Sequence, residues 1–186
     1  MKKKGLALVL ALTLLVVGVV AGTLAWLTAK SDTVTNTFIT SDIKVELKET
    51  NGPEYKMIPG YTISKDPTAT VLAGSEECYL FVKLEKSTNF DDYMTYKMAD
   101  GWEPVPSETN VYFRKVLTTD IGTPYSVLKD DKVTVNDTVT KEKMETAEKD
   151  KPTLTVTAYA SQLHKNDTED FSPDAAWKNV NPTPTP

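Results

Sequence analysis

Cys78-Tyr79-Leu80-Phe81-Val82-Lys83-Leu84-Glu85 is the stretch on which the fold turns. Cys78, Leu80, Val82 and Leu84 fall on one face, and Tyr79 and Phe81 on the other. Side chains alternate across a strand, so apolarity on both faces predicts a central strand covered on both sides. Working outward, Gly74-Ser75-Glu76-Glu77 reads as the loop that feeds it. Leu154, Val156 and Ala158 alternate with Thr155, Thr157 and Tyr159, a second clear strand. Ile43, Val45 and Leu47 alternate with Lys44, Glu46 and Lys48, a half-buried third. Further strands are predicted at 62–72, 111–117, 125–128 and 132–135. Asp66-Pro67 interrupts the first of these and predicts an edge strand or a bulge, because proline cannot donate to a ladder.

Turns fall at Asn51-Gly52-Pro53, Pro59-Gly60 and Gly122-Thr123-Pro124. Asp91-Asp92 and Asp130-Asp131 read as solvated turn residues, the second pair leading into the strand at 132–135. Residues 89–101 set Phe90, Tyr93 and Tyr96 among acids and follow no clear period. The charged run 139–149 suits one to three helical turns and ends before Lys151-Pro152. Ser172-Pro173-Asp174 supplies an N-cap, a first-turn proline and an acid, introducing a short helix with Ala175, Ala176 and Trp177. About eight short strands with closely spaced turn signals predict an all-β fold: a jelly-roll or Greek-key β-sandwich with one or two short helices.

The N-terminus predicts the compartment. Met1-Lys2-Lys3-Lys4 is followed by an uncharged run from 5 to 29, almost wholly apolar over 6–20, and then by Ala21-Gly22-Thr23-Leu24-Ala25. A positive start, an apolar middle and a small-x-small end read as a secretory signal helix, cut before Trp26 with Thr23 and Ala25 at the −3 and −1 positions. The rival reading is a retained anchor, since an uncharged run of this length spans the ~30 Å of bilayer hydrocarbon. Cleavage removes three lysines and no acid, moving the net charge from −5 to −8. The expected organisation is a signal peptide at 1–25, a strand at 26–39, a sandwich domain at 40–180 and a Pro/Thr tail at 181–186.

Composition narrows the function classes. With 21 basic against 26 acidic residues among 186, the chain lacks the basic stripe that a nucleic-acid binder needs. One Cys permits no internal disulfide and no Cys-based zinc site, and one His excludes an H-E-x-x-H helix. A Ser-His-Asp site would have to use His164. A secreted domain without disulfide staples relies on its core or on copies of itself.

Several segments together carry a resemblance: Gly22-Thr23-Leu24-Ala25-Trp26-Leu27-Thr28, Thr35-Asn36-Thr37-Phe38 and the strand at 43–47. They continue with Pro59-Gly60-Tyr61-Thr62-Ile63-Ser64-Lys65-Asp66-Pro67, Gly74-Ser75-Glu76-Glu77-Cys78-Tyr79-Leu80, and Leu154–Gln162 before Trp177. The chain resembles the SipW-dependent exported proteins of the TasA/camelysin (CalY) family of Gram-positive bacteria. The tail and residues 89–110 fall outside the pattern. The resemblance implies a jelly-roll domain, a SipW-type signal peptidase as processing partner, and an extracellular or cell-surface location. For TasA-like members it implies a biofilm-matrix fibre subunit, a homopolymer with a matrix anchor protein as a further partner. In such fibres the N-terminal strand of one subunit completes the sheet of the next. That role falls here on 26–39, with Trp26, Leu27, Val34 and Phe38 as donor residues. The same residues would serve equally as an intramolecular first strand, and Trp26 and Leu27 as the interfacial end of the export segment. Membrane contact would then run only through the uncleaved signal segment. The camelysin branch carries a metalloendopeptidase label, which a lone His does little to support.

The remaining candidates each have a plainer reading. Cys78 suits a small core residue better than an intermolecular disulfide. His164, Asp167 and Asp170, with Asn166 and Glu169 nearby, would be the acids and imidazole of a small metal site, yet loop acids usually sit in water and the calcium-loop spacing is missing. Tyr93, Tyr96 and Trp102 would make a sugar-binding platform or ordinary packing under a long connection. Neither a sortase-type anchor nor a lipobox cysteine is present in the chain. No catalytic residue, cofactor or metal is expected. The leading expectation is a secreted structural protein; the alternatives are a monomeric surface module for glycan or protein and, last, a metallopeptidase.

Overall fold

The computed structural model describes residues 42–51 and 54–181, all within one compact unit that begins at residue 40. The central strand is where the alternation puts it. β4 (Cys78–Lys86) lies between β10 (Leu154–Gln162) and β7 (Val111–Val116), antiparallel to both. Its register sets Val156 opposite Leu84 and Tyr159 opposite Phe81 on one side, and Phe113 opposite Phe81 on the other. The two-residue β6 (Glu103–Pro104) completes the sheet in the order β10-β4-β7-β6.

Both faces of that sheet are covered, by different partners. Cys78, Leu80, Val82 and Leu84 face a core shared with two three-stranded antiparallel sheets. One joins β1 (Val45–Lys48), β3 (Thr68–Val71) and β8 (Pro124–Ser126) in the order β1-β3-β8. The other joins β2 (Thr62–Ser64), β9 (Leu128–Val135) and β5 (Met94–Met98) in the order β2-β9-β5. They contribute Ala69, Val71, Val133, Val135 and Met94 to the common core. On the reverse face, Tyr79, Phe81 and Phe113 form a second apolar cluster under the helix Pro173–Val180. Trp177 of that helix stacks 5.4 Å from Phe81 and edge-on to Tyr159 at 5.1 Å. The Ser172 hydroxyl caps the helix, accepting from Ala175 N at 3.2 Å, with proline in the first turn as expected.

The all-β expectation holds, with differences of detail. Asp66-Pro67 marks no bulge: it is the corner at which the chain leaves β2, an end strand of its sheet as expected, and enters β3, which is central in another. The Asp66 carboxylate ties this corner. It accepts from the Thr50 hydroxyl, from Thr50 N and Asn51 N at 3.2 Å each, and from Asn51 Nδ2 at 3.0 Å. Pro67 offers its carbonyl to Val127 N at 2.9 Å, so the proline costs no donor there. Asp130-Asp131 is no turn between strands but a bulge inside β9, both residues being left-handed with φ 55° and 53°. The register slips there: Tyr96 pairs Val133 while Met98 pairs Leu128.

Residues 89–101 resolve into α1 (Phe90–Tyr93) and β5. The charged run yields α2 (Lys141–Ala147), capped by Thr140, and Pro173–Val180 is α3. With α1 there are thus three short α-helices among the described residues rather than one or two, plus a 3-10 turn at Thr118–Asp120 and a small hairpin of β11 (His164–Asn166) and β12 (Glu169–Asp170). No helix of the described residues is long and apolar enough to cross a membrane, and the apolar run at 6–20 lies outside them.

Candidate functional site

The four-stranded sheet ends on β10, a nine-residue strand paired to β4. In an antiparallel ladder alternate backbone groups point away from the partner, and among the described residues no second strand meets those of β10. Its core-facing residues Leu154, Val156, Ala158 and Ala160 are only half-buried, whereas Leu80, Val82 and Leu84 of β4 beside them are 0% exposed. β1 is likewise the end strand of its own sheet, and Ile43, Val45 and Leu47 are half-buried there. β1 and β10 approach each other across the core. The seam between them carries apolar surface along its length. A recess of about 380 Å³, lined by Asp42, Ile43, Ala160, Ser161, Gln162 and Asn179, opens at one end. The predicted donor residues Trp26, Leu27, Val34 and Phe38, and the cleavage residues Thr23 and Ala25, lie outside the described residues.

A second constellation surrounds the only histidine. His164 Nε2 donates to Glu77 Oε2 at 2.9 Å and Nδ1 donates to Asp170 Oδ1 at 2.8 Å. Glu77 Oε1 accepts from Thr118 N at 3.0 Å and Thr118 Oγ1 at 2.8 Å, and Lys115 Nζ pairs Asp170 Oδ2 at 2.9 Å. The Thr118 amide, His164 and the Thr118 hydroxyl hold the Glu77 carboxyl down at about 2. Hydrogen bonds from Lys115 and then His164 lower Asp170, and the two carboxylates raise His164. Ionised carboxylates are acceptors only, so donors on both ring nitrogens require the imidazolium. The bracket ties the loop before β4 and the residues after β7 to the β11–β12 hairpin.

Of the metal candidates, the structure brings together His164 and Asp170 but leaves Asp167 and Glu169 outside the bracket. Asn166 closes the hairpin tip instead, its Oδ1 accepting from Thr168 N and Oγ1 at 3.0 Å each. Glu77 and Asp170 sit on opposite ring nitrogens and so do not converge with His164 on one point. Glu77 and Lys115 went unnoticed in the sequence because they lie 87 and 49 residues from His164; the pairing of β10 with β4 brings Glu77 to it, and that of β4 with β7 brings Lys115.

The aromatic candidates form no exposed platform. Tyr93 and Trp102 are buried, with the Tyr93 hydroxyl donating to Lys143 O at 3.1 Å and Trp102 Nε1 to Ser126 O at 2.9 Å. Tyr96 packs edge-on to Phe90 at 6.0 Å. Cys78 is fully buried, and burial pushes its thiol up to about 11, which leaves it protonated and unreactive.

No family model, no curated protein and no solved structure matches the chain.

Proposed function

We propose that this chain is an exported structural protein, the subunit of an extracellular or cell-surface fibre in which the strand at 26–39 of one copy pairs with the free edge of β10 in the next. The carrying observation is that edge: nine residues, one partner strand among the described residues, and half-buried apolar side chains along the core side. A long uncovered edge of this kind is a liability in a monomer. A donated strand satisfies its backbone groups and completes its apolar face, with alternate side chains setting the register. At about 3.4 Å per residue β10 runs roughly 30 Å, and a fourteen-residue segment is ample to cover it. Such a contact is head-to-tail and does not close, so it propagates. The sandwich would be of the jelly-roll kind, released by a SipW-type peptidase and joined in the matrix by an anchor protein. The reading assigns the chain no catalysis.

The test is direct. A synthetic peptide of residues 26–40 is added to the chain 40–186, and hydrogen exchange of the Leu154–Gln162 amides is followed. Protection confined to β10 and its neighbours supports strand donation. Unchanged exchange at saturating peptide removes β10 as the acceptor.

A further inference from the structure

Asn181 closes α3, its N–H donating to Trp177 O at 3.0 Å, and Pro182-Thr183-Pro184-Thr185-Pro186 follows it. The helix delivers this tail to a definite place. Its first turn lies by the loop between β6 and β7, where Ser107 N donates to Asp174 Oδ1 at 2.9 Å. Trp177, in its middle, meets Phe81 of β4 and Tyr159 of β10. Asn179, near its end, shares the recess of about 380 Å³ with Ala160, Ser161 and Gln162. The chain therefore leaves α3 beside the last residues of β10.

Hydrogen bonds show which backbone groups of that strand are free. Ser87 N donates to Thr153 O at 3.0 Å and Leu163 N to Glu77 O at 3.2 Å. Both pairs continue the register of β10 with β4, so the odd-numbered residues of β10 turn their backbone groups toward β4. Leu154, Val156, Ala158, Ala160 and Gln162 turn theirs outward, and none of these groups finds a partner among the described residues.

The tail suits one such edge and no second. In an extended chain alternate residues present N–H and C=O to the same side. Thr183 and Thr185 would present both groups to one side, while the prolines, which have no N–H, fall on the other. Sheets admit proline at an edge, with its nitrogen turned to solvent. Paired through its threonines, the tail would cover β10 and leave outside it a strand without donors, on which no further strand can build. Entering beside Gln162, it runs antiparallel to β10. Its five residues span roughly 17 Å at about 3.4 Å each, which reaches Ala158 and leaves Leu154 and Val156 uncovered.

We propose that residues 182–186 dock on β10 of their own subunit as an edge-capping strand, Thr183 opposite Ala160 and Thr185 opposite Ala158. Docking does not depend on the fibre reading. Where that reading holds, the strand at 26–39 starts on the uncovered Leu154 and Val156 and displaces the tail.

The tail has two amide protons, those of Thr183 and Thr185, and they are its own reporters. The full ¹⁵N-labelled chain is held in non-ionic detergent at two widely spaced concentrations, and hydrogen exchange is read residue by residue. Both tail amides are expected to exchange at least about ten-fold more slowly than unstructured amides, equally at the two concentrations. Cross-strand NOEs are expected from Thr183 to Ala160 and from Thr185 to Ala158. Thr185→Pro, a change outside the folded domain, removes one donor and is expected to speed the Thr183 amide at least about ten-fold. Tail amides that exchange as in an unstructured peptide would overturn the proposal. With all five outward amides of β10 protected, the occupant is then 26–39; with none protected, neither strand covers the edge. Protection that fades on dilution would place the tail on a second copy. Protection without the NOEs, or an unchanged Thr183 rate in Thr185→Pro, would place it elsewhere on the domain. Each of these also overturns the assignment.

Discussion

His164 sets the pH dependence at the scale of single residues. Its pKa is raised by Glu77 and Asp170, so its contribution is fully present below the ordinary value near 6.5 and fades as pH rises through the folded value. Glu77 and Asp170 are lowered, so their contribution is present above the ordinary carboxylate range and is lost as pH falls through their folded values, about 2 for Glu77. Stability of the β11–β12 hairpin therefore peaks between the two limbs, at mildly acid pH. With one histidine in the chain, its ring Cε1–H signal titrates alone; it should report a pKa above 6.5, and His164→Ala should flatten the alkaline limb of the melting profile. A value at or below 6.5 would show that the bracket is not closed in solution. A second residue-scale expectation concerns the bulge in β9. Asp131 is left-handed and its Oδ1 is buried without a hydrogen-bond partner. Asp131→Gly removes both costs and is expected to raise unfolding stability by about 0.5–1 kcal/mol in urea titrations.

Elements differ in how plainly the sequence announces them. β4 and β10 were legible because nine residues of unbroken alternation leave one register in which both faces are covered. The α3 start was legible because Ser172-Pro173-Asp174 is a local signal needing no tertiary help. By contrast β6, β11 and β12 have two or three residues each and no period to read. β9 was divided because Asp130-Asp131 has the composition of a turn, while the ladder to β5 continues past it. The site was less legible still: the edge character of β10 and the company of His164 depend on which strands meet, not on any segment alone. The energetic ranking follows the same division. Trp177 is 1% exposed and spans Phe81 and Tyr159, so Trp177→Ala is expected to cost about 3–5 kcal/mol. Ser172→Ala removes only the cap of the same helix and should cost about 1 kcal/mol, with urea midpoints separating the two.

For the whole molecule, the core rather than covalent staples holds the domain together. Cys78 is sealed between the sheets, so a thiol reagent should label the chain only on unfolding, and polymers, if formed, should survive reduction. The proposed fibre would join copies through an edge, and the edge it uses is β10, which has one partner strand among the described residues and approaches β1. Negative-stain electron microscopy of two purified chains, 26–186 and 40–186, tests that claim most directly. Strand donation predicts filaments from the longer chain and dispersed particles from the shorter. A folded monomer from 26–186 under all conditions, or filaments from both, would contradict it.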